Sequence, residues 1–77
     1  MASKAKGNPY ENLANAIILQ AVTDYRMALK ALNRNARNRD ADGTRVECER
    51  FFQSGWFSTL TDLDSVWLMQ KLRKEAA

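Results

Sequence analysis

Between Leu13 and Leu32 the residues Leu13, Ala14, Ile17, Ile18, Ala21, Val22, Tyr25, Ala28, Leu29 and Leu32 recur at intervals of three and four. At about 100° per residue that spacing gathers them on one stripe of an α-helix. Such a helix gains most of its stability by burying its stripe, so the rest of the chain must supply a surface to cover it. Asn8-Pro9 marks the start: asparagine caps a helix, and proline fits the first helical position, where its missing N–H is no loss. No stretch shows the apolar/polar alternation of a half-buried strand. The expected fold is therefore all-α, a compact bundle of three main helices, the first the longest, with a short extra turn before the last.

The remaining elements follow from local chemistry. Asn33 to Gly43 is polar and rich in Asn and Asp, whose side chains compete for backbone hydrogen bonds, and it reads as a loop or frayed helix end. A second helix is expected from about Thr44 to Gln53, capped by Asp42 or Thr44, with Glu47 in the first turn where the helix dipole favours a carboxylate. Ser54-Gly55 ends it, glycine being suited to a left-handed terminus. Trp56, Phe57 and Leu60 then provide one further turn. Thr61-x-x-Asp64 resembles a capping box, and Asp62 or Asp64 caps a third helix from Leu63 to Arg73, with Lys71, Arg73 and Lys74 around its carboxyl end. Residues 1–8 form a flexible basic tail and 9–77 a single helical domain.

A chain of 77 residues holds one small core and buries only about 60% of the surface that its unfolded form exposes. Help from a partner, a metal or a second copy in a homo-oligomer is therefore expected. With no histidine and one cysteine, Cys-His or Ser-His-Asp nucleophiles, His-ligated zinc and internal disulfides are excluded. Cys48 lacks an activating histidine and reads as a small buried apolar group. Asp62 and Asp64 are explained by capping. No enzyme and no cofactor are expected. The longest mainly apolar stretch, Ala14 to Leu19, is far too short to span a bilayer, and Met1-Ala2-Ser3-Lys4 lacks a signal-peptide apolar region, so the expected setting is cytoplasmic, away from membranes.

Charge is unevenly spread within the net +3: Arg26 to Arg39 carries five basic residues and no acid, whereas Asp40 to Asp64 carries two arginines against six acids. Arg26, Lys30, Arg34 and Arg37 are expected on about 80° of one face of the first helix, opposite the apolar stripe, where they would meet phosphates or an acidic protein surface. Leu19 and Met27 fall on or near the same face. Phe51, Phe52, Trp56, Phe57 and Trp67 supply rings for the core, and any of Trp56, Phe57 and Trp67 left exposed would join the contact surface. Val66 to Met69 are four adjacent apolar residues that cannot all face inward. Asn38, Asp40, Asp42, Gly43 and Glu49 fit a calcium-loop pattern except at its first position, but Arg37, Arg39 and Arg45 repel a cation and no second loop is present to pair with it. The plainer expectation is a connection whose carboxylates cap the second helix, with no metal bound.

Ala16-Ile17-Ile18-Leu19-Gln20-Ala21-Val22-x-Asp24-Tyr25-Arg26-x-Ala28-Leu29 and Glu49-Arg50-Phe51-Phe52-x-Ser54-x-Trp56-Phe57-x-x-Leu60-Thr61-Asp62-Leu63-Asp64 resemble a family of small helical proteins encoded by prophages and mobile elements of Gram-positive bacteria. The resemblance covers about half the chain and departs from the family pattern at Ser65, where glycine is expected. It implies a genomic setting rather than a mechanism. The expectation is a small non-enzymatic protein that binds a host protein or nucleoprotein complex stoichiometrically, in the manner of an inhibitor of a host defence system such as a CRISPR effector. The alternative is direct nucleic-acid binding through the basic face.

Overall fold

A computed structural model describes the backbone of residues 9–76 and the side chains from Glu11 to Ala76. The expected tail, residues 1–8, and its Asn8 cap lie outside the described residues. Among the described residues four helices follow one another: α1 (Pro9–Arg34), α2 (Arg39–Phe52), α3 (Gly55–Leu60) and α4 (Ser65–Ala76). The fold is all-α as expected, with the first helix longest, and no described helix is long and apolar enough to cross a membrane.

α2 begins five residues earlier than the polar composition of Asn33 to Gly43 implied. Asn38, not Asp42 or Thr44, is the cap: its backbone is extended (φ −67°, ψ 102°) and its side-chain oxygen accepts a hydrogen bond from the Ala41 N–H at 3.0 Å. Asp40 and Asp42 then occupy the first turn, where the dipole stabilises them. Arg45 links that turn to the next, at 2.9 Å from Asp42 and 3.1 Å from Glu49. The connection is thereby reduced to residues 35–38. Gly43 lies inside α2 without a positive φ, and a Cβ added there meets nothing within 4 Å. Gly43→Ala is therefore expected to raise stability by about 0.5–1 kcal/mol, because glycine loses more backbone freedom on entering a helix. In a domain of this size that is a rise of about 2–8 °C in melting temperature, read by circular dichroism.

The α2–α3 junction also differs from expectation. Gly55 does not adopt a left-handed conformation; it is the first residue of α3, capped by Ser54, whose Oγ accepts from the Phe57 N–H at 3.1 Å and donates to the Phe51 carbonyl at 2.6 Å. α4 starts at Ser65 instead of Leu63, because Asp64 Oδ1 accepts from the N–H groups of Val66 and Trp67 at 2.9 and 3.3 Å. Thr61 does not close a capping box; its Oγ1 accepts from the Leu63 N–H two residues on.

α2 folds back antiparallel along α1, so that Ala41 lies near Ala28 and Ala31, and the Cys48 thiol points at the Ala21 carbonyl, 3.6 Å away. The core joins Ile18 and Tyr25 of α1, Cys48 and Phe52 of α2, Phe57 of α3, and Met69 and Leu72 of α4. Its centre is aromatic. Phe52 stands edge-on to Tyr25 and to Phe57, with centroids 5.5 and 5.7 Å apart, and Phe51 packs edge-on to Phe57 and Trp56 at 5.6 Å. Each such pair adds about 0.5–1.5 kcal/mol beyond the area it buries. Along the apolar stripe of α1, Ala14 and Ile17 are half-buried and Ile18 buried, whereas Leu13 remains 60% exposed.

Candidate functional site

The basic residues proposed from the sequence are only partly brought together. Arg26, Lys30 and Arg34 are exposed on α1, Arg34 as its last residue. Arg37 is not on that face: α1 ends at Arg34, and Arg37 sits in the following turn, where its N–H donates to Asn35 Oδ1 at 3.0 Å. The sequence repeat carried the helix three residues too far. Nor is the row wholly remote from the bundle. Arg26 reaches across to Glu75 of α4 at 3.0 Å, and with Lys30, Leu72, Glu75 and Ala76 it lines a shallow cleft between the two helices. Both members of that ion pair are about half exposed, so it contributes little to stability. The Asn33 amide donates to the Ala76 carbonyl beside it. Lys30 and Arg34 enter no ion pair among the described residues.

Two apolar side chains interleave with these cations. Met27, Lys30 and Arg34 succeed one another at three and four residues, and Leu19 lies seven residues, two turns, before Arg26. Leu19 and Met27 are 64% and 65% exposed.

Of the three aromatic candidates, Phe57 is removed from the surface: it is 1% exposed at the centre of the core. Trp56 and Trp67 are exposed, Trp56 resting edge-on against Phe51. Trp67 opens the outer face of α4, followed by Gln70, Lys71 and Lys74, with the Lys71 ammonium 5.8 Å from its ring centroid. Val66 and Leu63 flank it, also exposed. Among Val66 to Met69, then, Val66 and Trp67 face outward, whereas Met69 is buried and Leu68 half-buried. Lys71 and Lys74 read in the sequence only as charges suited to a helix end. The signal that could have placed them beside Trp67 is their spacing from it, four and seven residues.

The calcium-like string does not form a loop. Asn38 is a cap, Asp40, Asp42 and Glu49 are wound into α2, and the Asp42 and Glu49 carboxylates meet on the Arg45 guanidinium. Among the described residues no group of three acidic, cysteine or histidine side chains has the arrangement of a metal site.

Glu49 instead anchors a polar cluster that joins three helices. Tyr25 Oη donates to Glu49 Oε2 at 2.8 Å, Arg73 reaches the same oxygen at 3.1 Å and Tyr25 Oη at 3.1 Å, and Arg45 holds Oε1 at 3.1 Å. Burial alone would raise the Glu49 pKa, but the hydrogen bonds from Tyr25 and Arg73 and the nearby Arg45 charge outweigh it and hold the carboxyl below its ordinary value. Burial, reinforced by the Glu49 charge, pushes the Tyr25 hydroxyl up. Burial likewise raises the Cys48 thiol, which is free and buried.

No protein-family model matches the chain, and no curated protein or solved structure matches it either.

Proposed function

We propose that the protein is a non-enzymatic cytoplasmic binding module that occupies a macromolecular partner stoichiometrically through the outer face of α1. The observation that carries this reading is the composition of that face: Lys30 and Arg34 lack ion pairs among the described residues, and Leu19 and Met27, both nearly two-thirds exposed, alternate with the cations. Exposed large apolar groups set among unpaired charges fit a protein contact, in which the cations steer an acidic surface into place and the apolar groups gain when covered. The resemblance to prophage and mobile-element proteins supports a host protein or nucleoprotein complex as the partner, with inhibition of a host defence complex, as by an anti-CRISPR protein, as the role.

The same row of cations supports a second reading, direct binding to nucleic acid, in which each phosphate neutralised steepens the salt dependence of affinity. Capture from host lysate on the tagged chain, with and without nuclease, separates the two. A protein retained after nuclease treatment by the wild-type chain, and reduced at least about tenfold by Lys30→Glu with Arg34→Glu, supports the first reading; the loss corresponds to about 1.4 kcal/mol. Retention lost with nuclease supports the second. Binding unchanged by the double substitution refutes both.

A further inference from the structure

The outer face of α4 has an order of its own. Asp64, Trp67, Lys71 and Lys74 succeed one another at three, four and three residues, the a/d repeat of a seam between two helices. Asp64 belongs to that seam although it precedes the helix, because its carboxylate caps the first turn. Trp67 is 51% exposed, and Val66 and Leu63 beside it are 55% and 47% exposed. Among the described residues, none of Asp62, Asp64, Lys71 and Lys74 enters an ion pair. The face thus runs from acid at its start, through an exposed indole, to base at its end.

Such an order is complementary to its own antiparallel copy. A two-fold axis level with Met69 sets Asp64 of one copy against Lys74 of the other, and Trp67 against Lys71, with each contact repeated on the other side of the axis. The Trp67–Lys71 pairing repeats between copies the cation–π contact already made within one chain. A partner that suits the whole face must itself run from base to acid, as a second copy does. A nucleic acid or acidic protein that met Lys71 and Lys74 would be repelled by Asp62 and Asp64, and a basic partner would meet the reverse conflict. We propose that α4 is the interface of an isologous antiparallel homodimer, closed by the Asp62 and Asp64 end of each copy on the Lys71 and Lys74 end of the other around the two Trp67 rings. This goes beyond the binding reading above and does not depend on it, since Lys30 and Arg34 lie on α1.

Sedimentation equilibrium on the full chain at about 5–500 µM, a range suited to an interface below the size of standard stable complexes, tests the proposal. The expected result is a concentration-dependent rise to twice the chain mass of 8.8 kDa. Trp67→Ala, and separately Lys71→Glu with Lys74→Glu, are expected to hold the protein monomeric with unchanged helical circular dichroism, as these side chains are exposed. Asp62→Lys with Asp64→Asn is expected to be monomeric too, the asparagine keeping the cap. Mixing this variant with the Lys71/Lys74 variant should restore dimer mass, because each then presents the charge that the other lost. A monomer throughout the range, a dimer indifferent to these substitutions, or a mixture that stays monomeric would overturn the proposal. Lys30→Glu with Arg34→Glu is expected to leave the dimer intact, so failure of the dimer and failure of the α1 contact are read separately.

Discussion

Phe57→Ala is expected to lower stability by about 3–5 kcal/mol, while Trp56→Ala, one residue away, changes it by no more than about 1 kcal/mol. The contrast comes from position alone. Phe57 is 1% exposed and stands edge-on to Phe51 and Phe52 at the meeting point of α2 and α3, so truncation opens a cavity that surrounding rings cannot fill. Trp56 is 56% exposed and loses mainly its contact with Phe51. Because small domains are stabilised by only about 5–15 kcal/mol in total, Phe57→Ala should leave a large unfolded fraction near 37 °C. Urea unfolding followed by circular dichroism checks this: the midpoint should fall steeply for Phe57→Ala with little change in slope, and barely move for Trp56→Ala. Equal shifts for the two variants would mean that Phe57 is not the buried member of the pair.

The second large effect is expected at Glu49. Glu49→Gln removes the charge that receives Tyr25, Arg45 and Arg73, and should cost about 1.5–3 kcal/mol, the range for hydrogen bonds to charged groups. The pH dependence has a definite sign. The folded-state pKa of Glu49 is depressed, so its contribution is fully present above the unfolded carboxyl value, near pH 4.3, and is lost as pH falls through the lower folded value. Wild-type melting temperature should therefore drop from about pH 5 downward. Glu49→Gln should start lower near pH 7 and follow a shallower acid limb, so that the two curves converge as pH falls through the depressed folded value of Glu49. Parallel curves between pH 3 and 7 would show that Glu49 carries no linked stability.

The elements most legible in the sequence were those whose physics is local. α1 was readable because its apolar spacing repeats over many turns, and the Trp56, Phe57 and Leu60 turn because Ser54-Gly55 breaks the chain before it. The start of α2 was misread for a physical reason: Asn and Asp disfavour a helix interior and favour its first turn, and composition does not say which side of the boundary they occupy. Asn38 decides the matter through a hydrogen bond to Ala41 that only geometry reveals. That same boundary unmade the calcium-like loop, and the end of α1 at Arg34 moved Arg37 off the basic row. Phe57 and Trp56 differ by one residue, about 100° on a helix, and nothing in their composition tells which points inward. The Glu49 cluster joins residues 24 and 48 positions apart, beyond the reach of any spacing rule.

The contact face on α1 is tested most directly by lysine acetylation of the nuclease-treated complex, compared site by site with the free protein. Lys30 is 9 and 12 residues before Arg39 and Asp42, outside α2, and lies on the exposed side of α1. Its amine should react readily in the free protein and be strongly protected in the complex, whereas Lys71 and Lys74 should change little on partner binding at concentrations where the α4 interface is already closed. A Lys30 equally reactive in the free and bound protein would contradict the assignment of α1 as the partner surface.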